Sequence, residues 1–171
     1  MYAVSLHDTA WGYVAAAWSA AGLWELSFPE PTPQTAQTSL LSPVTYTAAN
    51  AAVAGLDREL RAYFAGERIV FATPVDWSGY SPFRAAVLRY TALIPYGEVR
   101  TYGEAAAAAG SPRGSRAAGG ALHNNRTPII IPCHRVLGAT GVLVGFGGGL
   151  ERKAALLKLE QGINTVRGRS R

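Results

Sequence analysis

Residues 101–125 read TYGEAAAAAGSPRGSRAAGGALHNN, and their spacing predicts two short helices joined by a turn. Thr101 and Glu104 form a capping-box pattern that starts the first helix. The glycine, serine and proline that follow predict a turn, and Ser115 can cap a second helix that runs to about His123. This layout is typical of a helix-turn-helix that reads DNA, although an ordinary helical hairpin has the same layout.

The second helix of this pair is almost without side chains. Gly119 and Gly120 stand in its middle, where each glycine costs on the order of 1 kcal/mol relative to alanine. Ala117, Ala118 and Ala121 surround them. Such a helix suits close approach to another backbone, which could belong to protein or to DNA.

The only cysteine of the chain follows this region in the sequence Pro132-Cys133-His134-Arg135, directly after an apolar run at 129–131 that predicts a strand. Many lone cysteines are buried and inert, because free cysteine behaves as a small hydrophobe. A neighbouring imidazole or cation lowers the pKa of a thiol towards reactivity. The setting therefore favours a reactive Cys133.

The first part of the chain predicts a sheet and a helix. Residues 2–6, 13–18 and 23–28 predict three strands of an antiparallel meander. Residues 29–45 contain four prolines and predict a surface loop. A helix is expected over 47–65, and 69–71 can add a strand.

The second part of the chain is predicted to be mainly helical. Ser81 and Pro82 start a helix with apolar residues at helical spacing. We therefore predict an α+β fold. A small N-terminal domain of antiparallel sheet and helix spans 1–77, and a mainly helical, winged helix-turn-helix-like domain spans 78–171.

The basic charge lies in the half of the chain that contains the cysteine. Residues 1–85 carry four arginines against seven acidic residues, whereas 86–171 carry ten arginines and two lysines against four. The net charge of +5 is thus unevenly divided. Arginine matches phosphate geometry, which favours a nucleic-acid partner, although a basic chain can also be basic for solubility alone.

Several classes of protein are excluded by what the sequence lacks. One cysteine cannot form an intramolecular disulfide, which fits a reducing compartment. The three histidines lack metal-ligand spacing, so we expect no metal. No signal-peptide pattern and no membrane-length apolar run is present, and the expected location is cytoplasmic.

From about residue 81 to residue 160 the chain resembles the O6-alkylguanine-DNA alkyltransferases, also called methylated-DNA-protein-cysteine methyltransferases. The ordered set of matching motifs makes the resemblance specific, and it comprises Ile94-Pro95-Tyr96-Gly97, Tyr102, Arg116-Ala117-Ala118-Gly119, Asn125, Ile131-Pro132-Cys133-His134-Arg135-Val136, Gly145-Phe146-Gly147-Gly148, Lys153 and Glu160. The resemblance implies direct repair of O6-alkylguanine by irreversible transfer of the alkyl group to Cys133. Each molecule would react once and would need no cofactor.

The resemblance also implies roles around the thiol. Cys133 is the acceptor, and His134 draws off its proton through a water molecule while Glu160 orients the imidazole. Asn125 holds the active-site turn and the helix end together. From its position alone, Glu160 is a charged residue at the end of an apolar helix, which is the alternative interpretation.

The resemblance implies that the substrate nucleotide is turned out of double-stranded DNA. It also implies that the protein binds the DNA from the minor groove, largely independently of sequence. Arg116 is the residue whose side chain fills the space that the flipped nucleotide leaves in the base stack. The expected substrate-binding residues are Tyr102, Val136, Phe146 and Gly147. The expected DNA-binding residues are Arg116, Tyr102, Gly103, Ser111, Ala117, Gly120, His123 and Arg135. A monomer is expected, with cooperative binding and activity on O4-alkylthymine left open.

Two other functions remain open at this stage, a winged-helix-like regulator with an incidental cysteine and a cysteine hydrolase. The sequence also departs from the family at four places. Phe146 stands where tyrosine is frequent, His123 lies in the second helix, and Arg126 stands where proline is frequent. The N-terminal part lacks the cysteine and histidine set with which some relatives hold zinc.

Overall fold

The computed structural model describes residues 2–47 and 50–161. They form two compact units. The first contains the chain up to Ser78 together with Arg126–Ile130, and the second contains Gly79–Asn125 and the chain from Ile131 onward.

The first unit is built on a four-stranded sheet in the order β3-β2-β1-β4. Strands β1 (Tyr2–Thr9), β2 (Gly12–Ser19) and β3 (Gly22–Leu26) form the predicted antiparallel meander. Strand β4 (Val44–Thr47) was not predicted, and it pairs in parallel with β1. The α+β class predicted from the sequence is confirmed.

The predicted loop over 29–45 is wrong at two places. It contains helix α1 (Pro33–Thr38), which begins with a capping box between Thr32 and Thr35 and with proline at its first turn. Strand β4 begins at its end. Proline breaks a helix only in its interior, and here it stands where its missing N–H is harmless.

Two further boundaries of the first unit differ from the prediction. Helix α2 (Ala51–Phe64) begins after the Asn50 cap and packs through Leu56 and Leu60, which are fully buried. No strand forms over 69–71, although Val75 makes an isolated bridge with Leu23.

The second unit contains the remaining helices of the described residues. They are α3 (Pro82–Ala92), α4 (Tyr102–Ala108), α5 (Ser115–His123) and α6 (Leu150–Gln161), with a parallel pair of short strands β5 (Arg100–Thr101) and β6 (Val136–Leu137). The predicted caps at Ser81 and Thr101 are confirmed. The predicted cap at Ser115 is wrong, because Gly114 takes the cap position and Ser115 is the first helical residue.

The apolar run before the cysteine forms a turn and not the expected strand. Ile129 is buried and has φ of 75°, a left-handed conformation that β-branched residues rarely adopt. Such a residue persists only where the surrounding packing holds it. The chain then passes through Pro132 into a 3-10 turn, Cys133–Arg135.

No helix among the described residues is long and apolar enough to span a membrane. The basic tail residues Arg167, Arg169 and Arg171 lie outside the described residues.

Candidate active site

The thiol of Cys133 lies buried at the start of the 3-10 turn, with 7% of the residue exposed. The side-chain amide of Asn125 donates to its Sγ at 3.3 Å and to the carbonyl of Ile131 at 2.9 Å. Burial raises the pKa of the Cys133 thiol, and the Asn125 hydrogen bond and the charge of Lys153 offset only part of this rise. The thiol is thus close to donors but needs a base to ionise.

The next residue, His134, forms a fully buried pair with Glu160 of α6, with 2.6 Å between Nε2 and Oε1. Burial lowers the pKa of His134, although the hydrogen bond to Glu160 opposes the shift. A neutral imidazole beside a carboxylate donates through the bonded nitrogen. Nε2 therefore carries the proton, and Nδ1 is the nitrogen that can accept one.

The carboxylate of Glu160 also accepts a two-pronged contact from Arg135, at 2.9 Å from Nε and 2.8 Å from Nη2. The backbone N–H of Gly97 donates to it at 3.3 Å. Burial by itself would raise the pKa of Glu160, but the hydrogen bonds and charges of His134 and Arg135 outweigh burial and lower it to about 2. Glu160 therefore stays ionised at neutral pH.

Arg135 is placed differently from the sequence-based expectation that it binds DNA. Its guanidinium is buried, and besides Glu160 it donates to the carbonyl of Ile94 at 2.6 Å. Because the guanidinium is buried and already donates to Glu160 and Ile94, it is not available to bind a DNA phosphate. We therefore assign Arg135 to holding Glu160 and not to a contact with DNA.

A second group of contacts, the Tyr102–Lys153 cluster, comprises Tyr102, Val136, Val144, Phe146 and Lys153. The Tyr102 hydroxyl donates to the carbonyl of Val144 at 2.7 Å. The Lys153 ammonium donates to the carbonyls of Val136 at 2.6 Å and Val144 at 3.1 Å. It also approaches the rings of Tyr102 and Phe146, at 5.5 and 5.8 Å. Three of the four expected substrate-binding residues, all except Gly147, thus belong to one cluster.

Our sequence reasoning did not single out Lys153 as a site residue. The signal was present in α6, where Lys153 shares the spacing of Leu156, Leu157 and Glu160. All four are buried, so a lysine stands in the apolar stripe of an amphipathic helix. A charge at such a position indicates a buried partner.

Helix α5 presents one exposed face that carries four of the expected DNA-binding residues, Arg116, Ala117, Gly120 and His123. A Cβ atom added at Gly120 would meet nothing within 4 Å among the described residues. By contrast, a Cβ at Gly119 would lie 3.8 Å from the Tyr102 ring. The bare face at Gly120 is therefore open to a partner outside the described chain.

The other expected positions lie close to this helix. A Cβ at Gly103 would lie 3.6 Å from Oγ of Ser115, the first residue of α5. The carbonyl of Ser111 accepts the N–H of Gly114 at 2.8 Å, which closes the turn before the helix. A Cβ at Gly147 would lie 3.7 Å from the carbonyl of His123, at the far end of the helix. Among the described residues, no group of three or more His, Cys, Asp or Glu side chains is placed to hold a metal ion.

The chain is similar in sequence to proteins of one methyltransferase family. Residues 82–162 match the family profile described as 6-O-methylguanine DNA methyltransferase, DNA binding domain. A methylated-DNA–protein-cysteine methyltransferase of Mycobacterium leprae is 47% identical over 125 residues, which are 73% of this chain and 75% of the relative. The chain belongs to this methyltransferase family.

Solved structures of methyltransferases extend the similarity to nearly the whole chain. The O6-methylguanine methyltransferase of Mycobacterium tuberculosis has a TM-score of 0.75 and 39% identity, covering 94% of this chain and 93% of that one. A structure of Mycobacterium tuberculosis OGT in complex with DNA has a TM-score of 0.76 and 38% identity, covering 94% and 92%. The resemblance found in the sequence is confirmed, and the chain is a methyltransferase of DNA repair.

The Glu160 contacts generate a stability prediction. Glu160→Gln removes the charge that pairs with the buried Arg135, and breaking a buried pair should lower the free energy of unfolding by about 3 kcal/mol. It should also slow alkylation of Cys133 by iodoacetamide, since the amide no longer fixes the tautomer of His134. Urea unfolding and the alkylation rate measure the two effects.

The matched control is Glu151→Gln, at the exposed start of the same helix, which should change stability by less than about 0.5 kcal/mol. Equal effects of the two substitutions would contradict the assigned role of Glu160.

Proposed function

We propose that the protein repairs O6-alkylguanine in double-stranded DNA by transferring the alkyl group to its own Cys133. The bond from the alkyl carbon to O6 of guanine breaks, and a bond from that carbon to Sγ forms. The thiol proton leaves Cys133, and the guanine takes up one proton in exchange. The observation that carries the proposal is a single thiol beside a buried His134–Glu160 pair in a chain of this family.

The proton leaves the thiol through His134. Because Nε2 donates to Glu160, Nδ1 is the basic nitrogen, and it takes the thiol proton through a water molecule. The ionised Glu160 stabilises the imidazolium that results. Asn125 donates to Sγ and so favours the thiolate, against the burial that disfavours it.

The reaction ends after one turnover, because the product is a thioether with no easy leaving path. The chain has no second cysteine that could remove the alkyl group. Cys133 is therefore a terminal acceptor, unlike the nucleophile of a hydrolase, whose intermediate water can release.

The exposed face of α5 is proposed to enter the minor groove, with the target nucleotide turned out of the stack. Its small residues, Ala117 and Gly120, allow close approach to the DNA backbone, while Arg116 takes the vacated place. Three further residues near the two ends of the helix are proposed to contact the DNA as well: Gly103, Ser111 and His123. Minor-groove contacts carry little sequence code, so binding is largely independent of sequence.

The flipped base is proposed to meet Tyr102, Val136, Phe146 and Gly147. The carbonyl of Val136 already accepts a hydrogen bond from Lys153, and its second lone pair can accept the guanine amino group. Phe146 offers an apolar face without the hydroxyl of a tyrosine.

Transfer to the protein tests the reaction directly. Duplex DNA with a radiolabelled methyl group on O6 of guanine should label the protein up to one equivalent, on Cys133, and Cys133→Ala should take up none. Mass spectrometry of the labelled peptide identifies the site. Label released into water would indicate a hydrolase, and DNA binding without any transfer would indicate a regulator, so that either result overturns the proposal.

Base flipping is tested with Arg116→Ala. Only a duplex requires extrusion, so transfer from duplex DNA should slow by about tenfold, equivalent to 1.4 kcal/mol, while reaction with free O6-benzylguanine stays unchanged. Arg113→Ala is the matched control, since it removes one exposed charge from the turn before α5. If both variants lost the same share of the transfer rate from duplex DNA, Arg116 would contribute only its charge, and its proposed insertion into the base stack would be contradicted.

The bare helix face is tested with Gly120→Ala, with Gly55→Ala in α2 as control. Neither new Cβ meets a described atom within 4 Å, and alanine is the better helix former, so both variants should be more stable by about 0.5–1 kcal/mol. Only Gly120→Ala should weaken binding to duplex DNA, by about tenfold in a fluorescence titration. Unchanged binding in both would contradict minor-groove entry by α5.

A further inference from the structure

Lys153 is the most unusual charged side chain in the second unit. It is fully buried in α6, whereas the other lysine of the chain, Lys158, is exposed on the same helix. Its three N–H groups meet three neutral oxygens, the carbonyls of Val136 and Val144 and, at 3.4 Å, the hydroxyl of Tyr102. An ammonium buried among neutral acceptors is costly unless every N–H is bonded.

These three oxygens belong to three different parts of the chain. Val136 begins β6, directly after the Cys133–Arg135 turn, while Tyr102 begins α4. Val144 lies in the glycine-rich segment before α6, in which Gly145 has φ of 50°. One ammonium therefore joins a strand, a helix and a segment with little regular structure.

We propose that Lys153 is a positioning residue for the alkyl transfer, whose ammonium holds the Val144–Phe146 segment and the Tyr102 hydroxyl against the Val136 carbonyl. The inference rests on the proposed function, because these are the residues proposed to meet the flipped guanine. Lys153 does not touch the reacting atoms in this account, and its effect passes through the acceptors that it holds.

The position of Lys153 also makes the site sensitive to alkaline pH. Burial lowers the pKa of Lys153 to about 8, because the charged form is poorly solvated there. The titratable groups that interact with it are Cys133 and His134 of the 3-10 turn and Tyr102 of α4. Above that pH the neutral amine loses one N–H and its attraction for the carbonyls.

The rate of transfer should therefore rise with pH as His134 loses its proton and becomes able to accept that of the thiol, and then fall above about pH 8 as Lys153 loses its proton. Lys153→Met should remove the falling limb and slow transfer from duplex DNA at neutral pH by about tenfold or more, as expected when buried acceptors lose their donor. Lys158→Met, on the same helix, should leave both the rate and the profile unchanged.

Lys153→Gln is the second variant, for the case in which methionine prevents folding. The amide keeps two N–H donors but does not titrate, so the falling limb should vanish while part of the rate is retained. The same variants are measured with free O6-benzylguanine at several concentrations. The half-saturating concentration of O6-benzylguanine should rise by a larger factor than the limiting rate falls. The reason is that a displaced Val144–Phe146 segment weakens binding of the base.

A purely structural lysine gives a different pattern. In that case both substitutions would lower the melting temperature and reduce the rate in proportion to the folded fraction, and the falling limb would still be present in both variants. That result overturns the proposal. The wild-type protein separates the two inferences. If it takes no label from alkylated duplex DNA, the proposed function fails, whereas labelling with unchanged profiles in the variants overturns the role of Lys153 alone.

Discussion

The carboxylate of Glu160 is the contact on which the second unit depends. It accepts hydrogen bonds from His134 and Arg135 of the 3-10 turn and from the backbone of Gly97, and so joins α6 to two other parts of the chain. A buried carboxylate without donors would take up a proton, but this one has a pKa of about 2. The same charge that stabilises the packing therefore also fixes the tautomer of the imidazole beside Cys133.

In the active site, burial of the Cys133 thiol opposes its ionisation. Burial protects the thiol from water and raises its pKa, which by itself would make Cys133 unreactive. The hydrogen bond from Asn125, the charge of Lys153 and backbone N–H groups act in the opposite direction. The pKa of the Cys133 thiol is therefore set by the balance between its burial and the donors and charge around it.

Local features of the sequence predicted local structure well. The capping box of Thr101 and Glu104 and the Ser81–Pro82 start were recognisable because the partners lie three residues apart or fewer. The errors have the same origin. The prolines over 29–45 predict a loop where α1 forms, although its Thr32 cap uses the same chemistry, and the spacing predicts a cap at Ser115 although Gly114 holds that place. Both depend on the path of the chain into the helix, which spacing alone does not specify.

The sequence by itself determined the α+β class and the family, because motif order and periodicity are properties of the chain. Only the tertiary structure decided where the side chains of Arg135 and Lys153 lie and what they contact. The resemblance implies a DNA contact for Arg135, yet Arg135 lies buried against Glu160, 25 residues away. Lys153 meets the Tyr102 hydroxyl across 51 residues. Burial and long-range pairing decide whether a cation faces solvent or holds a site together, and neither is visible in the neighbours of a residue along the chain.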